Sequence, residues 1–294
     1  MLDKLSTEKR NSSTMNLDEM SVREILQTMN KEDRSVPEAI SSELGEIERA
    51  VDFAIHSFQN GGRLIYIGAG TSGRLGILDA VECVPTFGVS PEMVQGFIAG
   101  GMKAFTVAVE GAEDSAELGK TDLESAGLTN KDTVIGIAAS GRTPYVIGAL
   151  QYAGETGART VSISCNKGAE MSQYAEVAIE VETGPEVLTG STRLKAGTAQ
   201  KLVLNMISTA SMIGIGKAYQ NLMVDVQSTN LKLTERSKRI IMEATGVDYS
   251  TAEKYYEQAH HHVKTAIVMI LLQCSYDEAA NKLEATGGFV RKAL

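Results

Sequence analysis

The stretch Arg63-Leu-Ile-Tyr-Ile-Gly-Ala-Gly-Thr-Ser-Gly-Arg74 has the pattern of a short apolar strand followed by a glycine-rich turn and a helix start. A second stretch, Thr133-Val-Ile-Gly-Ile-Ala-Ala-Ser-Gly-Arg142, repeats this order of strand, Ser-Gly-Arg turn and helix. Short strands separated by helical segments are typical of a parallel sheet with crossover helices. The sequence therefore predicts an α/β fold in which a doubly wound parallel sheet is flanked by helices.

Outward from these two stretches, the spacing of apolar residues predicts the other strands and helices. Short segments rich in Ile and Val predict strands at 63–68, 93–99, 133–139, 159–165 and 177–181. Before them, apolar residues three or four positions apart from Val36 to Phe58 predict one amphipathic helix, which Asn60-Gly61-Gly62 ends. After Gly190 no strand is predicted, and helices are expected at 201–217, 234–245, 251–261, 263–274 and 276–284.

This distribution of elements predicts three parts of the chain. Residues 1–54 form an N-terminal helical arm, residues 55–225 form the sheet domain, and residues 235–294 form a small helical domain. The boundary between the last two falls near residues 225–240, although no proline-rich or charged linker marks it.

Composition excludes several classes of protein. The chain has 294 residues, 28 of them basic and 37 acidic, and a net charge of −9 argues against binding to nucleic acid. The longest apolar run, Ala266 to Leu272, has only seven residues, so no membrane span and no membrane partner are predicted. Three scattered cysteines, Cys83, Cys165 and Cys274, suit neither a disulfide framework nor a zinc site. We expect a cytoplasmic protein with reduced thiols.

The two glycine-rich turns carry the main signal for a ligand. In a parallel sheet both turns lie at the carboxyl edge of the strands, where open α/β folds bind ligands. Each turn places hydroxyl groups beside the free N–H groups of a helix start, namely Thr71, Ser72, Ser140 and Thr143. One such turn alone would be explained by helix capping. Two turns on one sheet edge favour a phosphate site.

Other motif matches fail on their spacing. Gly68 to Gly73 fits G-x-G-x-x-G, but the acidic residue that a dinucleotide site needs about twenty positions later is absent. Gly119-Lys120-Thr121 resembles the end of a P-loop, yet Asp114 stands where that motif needs glycine. His260-His261-His262 lacks the i, i+4 spacing of a metal-binding pair, so no metal site is predicted.

Two groups of carboxylates lie near these turns in the sequence. Glu82 follows the first turn by about three helical turns, and Pro85 is expected to break that helix. Glu110, Glu113 and Asp114 surround Gly111, where we expect one helix to end and another to begin. A single glutamate there would be explained by helix capping. Two glutamates near a phosphate site instead favour catalysis, with one acting as general acid and the other as general base.

Longer motifs carry a family resemblance that covers roughly residues 15–294. The chain closely resembles the N-acetylmuramic acid 6-phosphate etherases in a set of segments: 66–88, 109–115, 136–145, 161–166, 189–201, 221–225 and 287–291. The resemblance implies a sugar isomerase (SIS) domain that binds phosphosugars, followed by a small helical domain similar to a ubiquitin-associated fold. It also implies a homodimer in the cytoplasm, a phosphosugar substrate and no cofactor.

The implied reaction cleaves the D-lactyl ether of N-acetylmuramic acid 6-phosphate during recycling of cell-wall amino sugars. By position in the matching motifs, Glu82 would protonate the departing lactate and Glu113 would remove the proton from carbon 2. The phosphate would be held by Thr71, Ser72, Ser140 and Thr143. The sugar or its carboxylate would lie near Ser191, Thr192 and Lys195, although Lys195 could also be an ordinary surface lysine.

Two other functions remain open on the sequence. Related SIS proteins are non-catalytic phosphosugar sensors, including relatives of the glucokinase regulatory protein, and their phosphate turns would look similar. An aldose–ketose isomerase on the same fold is the second alternative, disfavoured by the shortage of histidines near the site. The presence of both Glu82 and Glu113 favours the etherase, since a sensor needs no acid/base pair.

Overall fold

The computed structural model describes residues 5–107, 109–226 and 231–294. Within them, a parallel sheet has the strand order β2-β1-β3-β4-β5. The strands are β1 (Leu64–Gly68), β2 (Val94–Ile98), β3 (Thr133–Ile137), β4 (Arg159–Ser164) and β5 (Val177–Glu180). The five predicted strands are confirmed, each with bounds that agree within two residues.

The order of the strands places the two glycine-rich turns next to each other. β1 pairs with β2 on one side and with β3 on the other, so the direction of winding reverses between β1 and β3. Gly68 at the end of β1 lies opposite Ile137 at the end of β3. Ligands bind at such a switch point because the two loops there diverge and leave a crevice.

Helices precede, connect and follow these strands. In chain order they are α1 (Val22–Asp33), α2 (Ser35–Ser41), α3 (Leu44–Gln59), α4 (Gly70–Phe87), α5 (Lys103–Thr106), α6 (Ala116–Ser125), α7 (Pro144–Thr156) and α8 (Lys195–Gly214). The prediction of a sheet flanked by helices is confirmed.

The single helix predicted from Val36 to Phe58 is wrong in one respect, because the chain forms α2 and α3 with a break between them. At the break, the buried carboxylate of Glu43 accepts the N–H of Glu180 at 3.2 Å and pairs with Lys167. This contact ties the break to β5 and accounts for the interruption. Of the apolar stripe, Val36, Ile40, Ile47 and Phe58 are buried, whereas Leu44 is 51% exposed. Helix α3 ends before Asn60, as predicted.

Pro85 does not break α4, contrary to the prediction. The helix continues to Phe87, and the N–H of Gly88 still bonds to the carbonyl of Val84 at 3.0 Å. Proline removes only its own N–H from the helix, so a last turn can persist after it. Gly88 then takes a positive φ of 61° and ends the helix.

The C-terminal part is mainly helical, as predicted. Its helices are α9 (Leu231–Thr245), α10 (Tyr249–Gln258), α11 (Val263–Leu272), α12 (Tyr276–Ala285) and α13 (Val290–Ala293). Their core includes the buried side chains of Ile241, Tyr256 and Ile267. The expectation of no strand after Gly190 is wrong, since Ala218–Tyr219 and Leu222–Met223 form a short antiparallel pair, β6 and β7.

The described chain divides into two compact units. One comprises the residues up to Ala80 together with Glu92–Ser208, and the other comprises Val81–Pro91 and Thr209–Leu294. The predicted domain limits, 1–54, 55–225 and 235–294, therefore stay a prediction. Part of the predicted boundary, residues 227–230, lies outside the described residues. No helix of the described chain combines the length and apolar character needed to cross a membrane.

Candidate active site

The first glycine-rich turn joins β1 directly to α4. Gly70 begins the helix with a positive φ of 52°. A Cβ atom at Gly73 would lie 2.7 Å from the carbonyl oxygen of Gly68, so only glycine lets the helix start this close to the strand. The hydroxyl-bearing residues of the turn are thereby held at the carboxyl edge of the sheet, with Thr71 half-buried and Ser72 buried.

Ser72 is held by a residue on α8 that was not selected from the sequence. The Ser72 hydroxyl donates a hydrogen bond to Oε1 of Gln200 at 2.9 Å, and Gln200 is buried. The amide nitrogen of Gln200 has no hydrogen-bond partner among the described residues. One turn earlier, Gly197 would place a Cβ 3.5 Å from Cγ2 of Thr71. The start of α8 is thus packed against the first turn.

A buried polar network fixes α4 behind this turn. The carboxylate of Asp79 accepts hydrogen bonds from Tyr66 on β1 at 2.9 Å and from Asn205 and Ser208 on α8 at 2.8 and 3.1 Å. Burial raises the pKa of Asp79, although these three donors act to lower it. The network therefore links β1, α4 and α8 behind the first turn.

The second turn lies between β3 and α7. Gly141 has a φ of 71°, and a Cβ there would lie 2.4 Å from Cβ of Ala169. Oγ of Ser140 accepts the N–H of Arg142 at 3.3 Å. Thr143 is the N-cap residue of α7, yet its side chain makes no capping hydrogen bond. A capping hydrogen bond therefore does not explain Thr143, which is half-buried at the helix start.

A small cavity of about 160 Å³ lies at the first turn and brings Glu113 to it. Gly70, Arg74, Glu110 and Glu113 are among the residues that line this cavity. The Arg74 guanidinium donates to the carbonyl oxygens of Phe105 and Ala104 at 2.9 and 2.8 Å, which holds α5 at the cavity. The cavity thus joins a carboxylate to a turn with free helix N–H groups.

Glu113 itself is exposed on a short 3-10 helix, Ala112–Asp114. A helix begins directly after Gly111, which has a φ of 75°, as predicted, but the preceding helix α5 ends earlier, at Thr106. The hydroxyl of Ser115 accepts the N–H of Leu118 and caps α6. Because Ser115 does the capping, the carboxylate of Glu113 is left available at the cavity.

A larger cavity of about 660 Å³ lies at the second turn. Ser140, Arg142 and Lys167 line it together with residues 168–170. Arg142 lies 3.7 Å from Glu170, and Lys167 pairs with Glu43. Two cationic side chains, each paired with a glutamate, therefore line the same cavity as Ser140.

Lys195 is the first residue of α8 and is buried, so it is not an ordinary surface lysine. Its ammonium lies 2.7 Å from Oε2 of Glu32 on α1. Burial acts to raise the pKa of Glu32, but the hydrogen bond and charge of Lys195 outweigh it and hold that pKa below its usual value. Ser191 and Thr192 lie half-buried in the loop just before α8.

Glu186 caps α8 and was not selected from the sequence. Its carboxylate accepts the backbone N–H groups of Lys195 and Ala196 at 2.9 and 3.0 Å. Burial raises the pKa of Glu186, while these two N–H donors oppose that rise. Since the capping residue lies nine positions before the helix, no local pattern could have identified it.

Glu82, the other predicted catalytic residue, lies on α4 with an exposed side chain. It belongs to the second compact unit, whereas Glu113 and the predicted phosphate ligands belong to the first. The first unit thus brings together both hydroxyl-bearing turns, the start of α8 and Glu113. The described residues contain no cluster of side chains that would hold a metal ion.

Comparison with known proteins decides the family. Residues 108–210 match the model of the SIS domain, and residues 46–154 match that of the glucokinase regulatory protein N-terminal SIS domain. A curated relative from Bacillus cytotoxicus named N-acetylmuramic acid 6-phosphate etherase is 74% identical over the full length of both chains. One of the same name from a Geobacillus species is 72% identical, also over the full length of both. The chain belongs to the N-acetylmuramic acid 6-phosphate etherase family.

Solved structures agree with this etherase family on the fold. A phosphoheptose isomerase from Francisella tularensis has a TM-score of 0.52 at 14% identity, covering 66% of this chain and 100% of its own. A phosphoheptose isomerase from Neisseria gonorrhoeae has a TM-score of 0.50 at 15% identity, covering 65% of this chain and 99% of its own. At this identity the likeness concerns the fold alone, and it confirms the predicted SIS-type sheet.

Proposed function

We propose that the protein cleaves the D-lactyl ether of N-acetylmuramic acid 6-phosphate, giving N-acetylglucosamine 6-phosphate and D-lactate. The observation that carries this function is the full-length identity of 70–74% to curated etherases. The cavity that joins Glu113 to a glycine-rich turn supports it. The reaction belongs to the recycling of cell-wall amino sugars, and we place it in the cytoplasm.

The chemistry requires one base and one acid. An alkyl ether resists direct hydrolysis because an alkoxide is a poor leaving group. In the open-chain aldehyde, carbon 2 is adjacent to the carbonyl, so its proton can be removed. The lactate oxygen on carbon 3 then departs with a proton, and water adds to carbon 3 of the unsaturated aldehyde. We assign proton removal to Glu113 and protonation of the departing lactate to Glu82.

The phosphate group is assigned to the two turns. Ser72, Ser140 and Thr143 would donate hydroxyl hydrogen bonds, with Thr71 beside them, and the starts of α4 and α7 would contribute N–H groups. The Ser72 hydroxyl now donates to Gln200. Rotation of the Gln200 side-chain amide by about 180° would turn its NH2 group toward the Ser72 oxygen. Gln200 would then donate the hydrogen bond, and the Ser72 hydroxyl could donate its proton to the phosphate.

The lactyl carboxylate is assigned to the loop before α8. Ser191 and Thr192 are half-buried there and can donate hydroxyl hydrogen bonds. Lys195 supplies positive charge, shared with Glu32, at the start of the same helix. The proposal needs no cofactor, since the steps are removal of a proton, departure of protonated lactate and addition of water.

The direct test is incubation of the purified protein with N-acetylmuramic acid 6-phosphate, followed by enzymatic measurement of D-lactate. We expect release of one D-lactate for each N-acetylglucosamine 6-phosphate formed. The match to the glucokinase regulatory protein model favours, as a second candidate, a phosphosugar sensor without activity. Binding of the phosphosugar by folded protein without lactate release would support that sensor and contradict the etherase.

Ser140→Ala is expected to raise the Michaelis constant by roughly tenfold or more, since a hydrogen bond to a charged group is worth about 1.5–3 kcal/mol. The measurement is lactate release over a range of substrate concentrations. Ser125→Ala, at an exposed position on α6, is the matched control and should behave like the wild type. Equal turnover of phosphorylated and unphosphorylated N-acetylmuramic acid by the wild type would contradict the phosphate assignment.

We also propose a homodimer. Four residues of the apolar stripe of α2 and α3, namely Val36, Ile40, Ile47 and Phe58, are buried within their own chain, so a partner would cover other surfaces. Large apolar side chains remain exposed on the helices of the first unit, including Val22, Leu26, Leu78 and Met206. Light scattering should give a mass of about 63 kDa, twice the chain mass of 31.4 kDa. An active species of single-chain mass at micromolar concentration would contradict the dimer.

A further inference from the structure

A cavity of about 580 Å³ lies within the second unit, where neither the proposed acid nor the proposed base lines it. Its volume falls in the range of about 300–1,000 Å³ that is usual for small-molecule sites. Three segments of the unit supply the walls: Lys217 after α8, residues 224–226 after β7, and residues 260–265 around the start of α11. Gly88 completes the lining.

The charges in this cavity do not balance. The ammonium groups of Lys264 and Lys217 lie 2.6 and 3.3 Å from the same oxygen, Oδ2 of Asp225. Two positive charges therefore share one negative charge, and only 12% of the Lys264 side chain is exposed. Burial lowers the pKa of Lys264, and the nearby positive charge of Lys217 lowers it further. The negative charge of Asp225 acts in the opposite direction and raises that pKa. An added anion would relieve the excess positive charge.

Backbone donors face the same cavity. Val263, Lys264 and Thr265 form the first turn of the ten-residue helix α11 and line the cavity. The N–H groups of a first helical turn have no acceptor within the helix. His262 is the N-cap residue, and its side chain makes no capping hydrogen bond. Helix N–H groups and lysine ammonium groups are the donors that bind phosphate in proteins.

Histidine rings form the remaining wall and are held by aromatic contacts. The ring of His260 meets Tyr276 edge-on with centroids 4.8 Å apart, and the ring of His261 stacks on Tyr256 at 4.9 Å. Nε2 of His261 lies 3.0 Å from the carboxylate of Glu257, which is exposed. These contacts fix the imidazoles at the cavity, where they can respond to a bound ligand.

We propose that this cavity is a second anion site, which binds the phosphate group of a small phosphorylated metabolite. The phosphate lies between Lys217, Lys264 and the start of α11, and the body of the metabolite fills the rest of the cavity beside Val224 and Val226. Inorganic phosphate alone would leave most of the 580 Å³ unfilled. The site is independent of the etherase activity, because it shares no residue with the proposed acid, base or phosphate turns.

The four histidines of the chain make a direct test possible. In protein with isotope-labelled histidine, three of the ring signals report on the cavity, while His56, exposed on α3 in the first unit, serves as an internal reference. Inorganic phosphate and N-acetylglucosamine 6-phosphate are titrated separately at constant pH and ionic strength. We expect saturable shifts of the signals of His260, His261 and His262, reached at lower concentration with the sugar phosphate, and none of His56.

Variants separate the cavity from general charge effects. Lys264→Met should weaken binding about tenfold or more, by loss of a charge-assisted hydrogen bond. Asp225→Asn should tighten it, because it removes the competing carboxylate, and Lys254→Met at an exposed position on α10 should leave it unchanged. If Lys264→Met fails to fold, Lys217→Met replaces it with the same expectation. No saturable shift, equal shifts of all four histidines, or unchanged binding in the lysine variants of the cavity would overturn the proposal.

Discussion

Glu113→Gln is expected to abolish both lactate release and exchange of the substrate's carbon 2 proton with deuterated water. Glutamine keeps the size of the side chain and its hydrogen bonding but cannot accept a proton as a base. Without a base no carbanion forms, and the loss should be a factor of about 100 to 10,000 in rate. Proton NMR of the substrate in deuterated buffer follows both reactions in one sample.

Glu82→Gln should separate the two reactions. We expect it to release almost no lactate, because nothing protonates the departing alkoxide, while proton exchange at carbon 2 continues. Glu110→Gln is the matched control, since Glu110 lines the same cavity as Glu113 and should retain both activities. Exchange that survives in Glu113→Gln and disappears in Glu82→Gln would reverse the two assignments. Normal lactate release by both variants would show that neither glutamate is catalytic.

Lys195→Met is expected to cause a large loss of stability. It leaves the Glu32 carboxylate, whose side chain is 20% exposed, without the ammonium 2.7 Å away. Removing one partner of a buried ion pair costs roughly 3–5 kcal/mol. Denaturant unfolding at neutral pH should therefore show a clearly lower free energy of unfolding. Lys254→Met, at an exposed position, should unfold like the wild type.

The contribution of Lys195 to the free energy of unfolding should decrease as the pH is lowered. The pKa of Glu32 is lowered in the folded state, so its pairing stabilises the protein above the unfolded pKa. That contribution is lost as pH falls through the lower, folded pKa. The difference in stability between wild type and Lys195→Met should therefore shrink in acid. A difference that stays constant down to acid pH would show that lost packing, and not the ion pair, causes the destabilisation.

The sequence predicted the sheet well because its signal is local. Strands buried on both faces, such as β1 and β3, appear as continuous apolar runs, and a turn that contains glycine follows each run. The break at Glu43 could not be predicted, since it depends on a carboxylate that reaches β5, far away in the sequence. The short β6–β7 pair was missed because each strand has only two residues.

The candidate site was predictable in part for the same reason. Hydroxyls and glycines that lie together in the sequence also lie together in the fold, so Thr71, Ser72, Ser140 and Thr143 could be selected. The hydrogen-bond partners of the site residues come from elements that are distant in the sequence. The Ser72 hydroxyl, for example, donates to Gln200 on α8. The ion pair between Lys195 and Glu32 is a second example, because these two residues are 163 positions apart in the sequence. No periodicity in the sequence indicates such pairs, because they form only when α8 packs against α4 and α1.

The route of oxygen from water tests the central claim most directly. The wild-type protein and N-acetylmuramic acid 6-phosphate are incubated in ¹⁸O-labelled water, and lactate is analysed by mass spectrometry and the sugar by ¹³C NMR. Elimination of lactate followed by addition of water predicts unlabelled D-lactate and an ¹⁸O isotope shift at carbon 3 of N-acetylglucosamine 6-phosphate. Label in the lactate hydroxyl would show cleavage on the lactyl side and contradict the mechanism, and absence of lactate release by folded protein would contradict the etherase function itself.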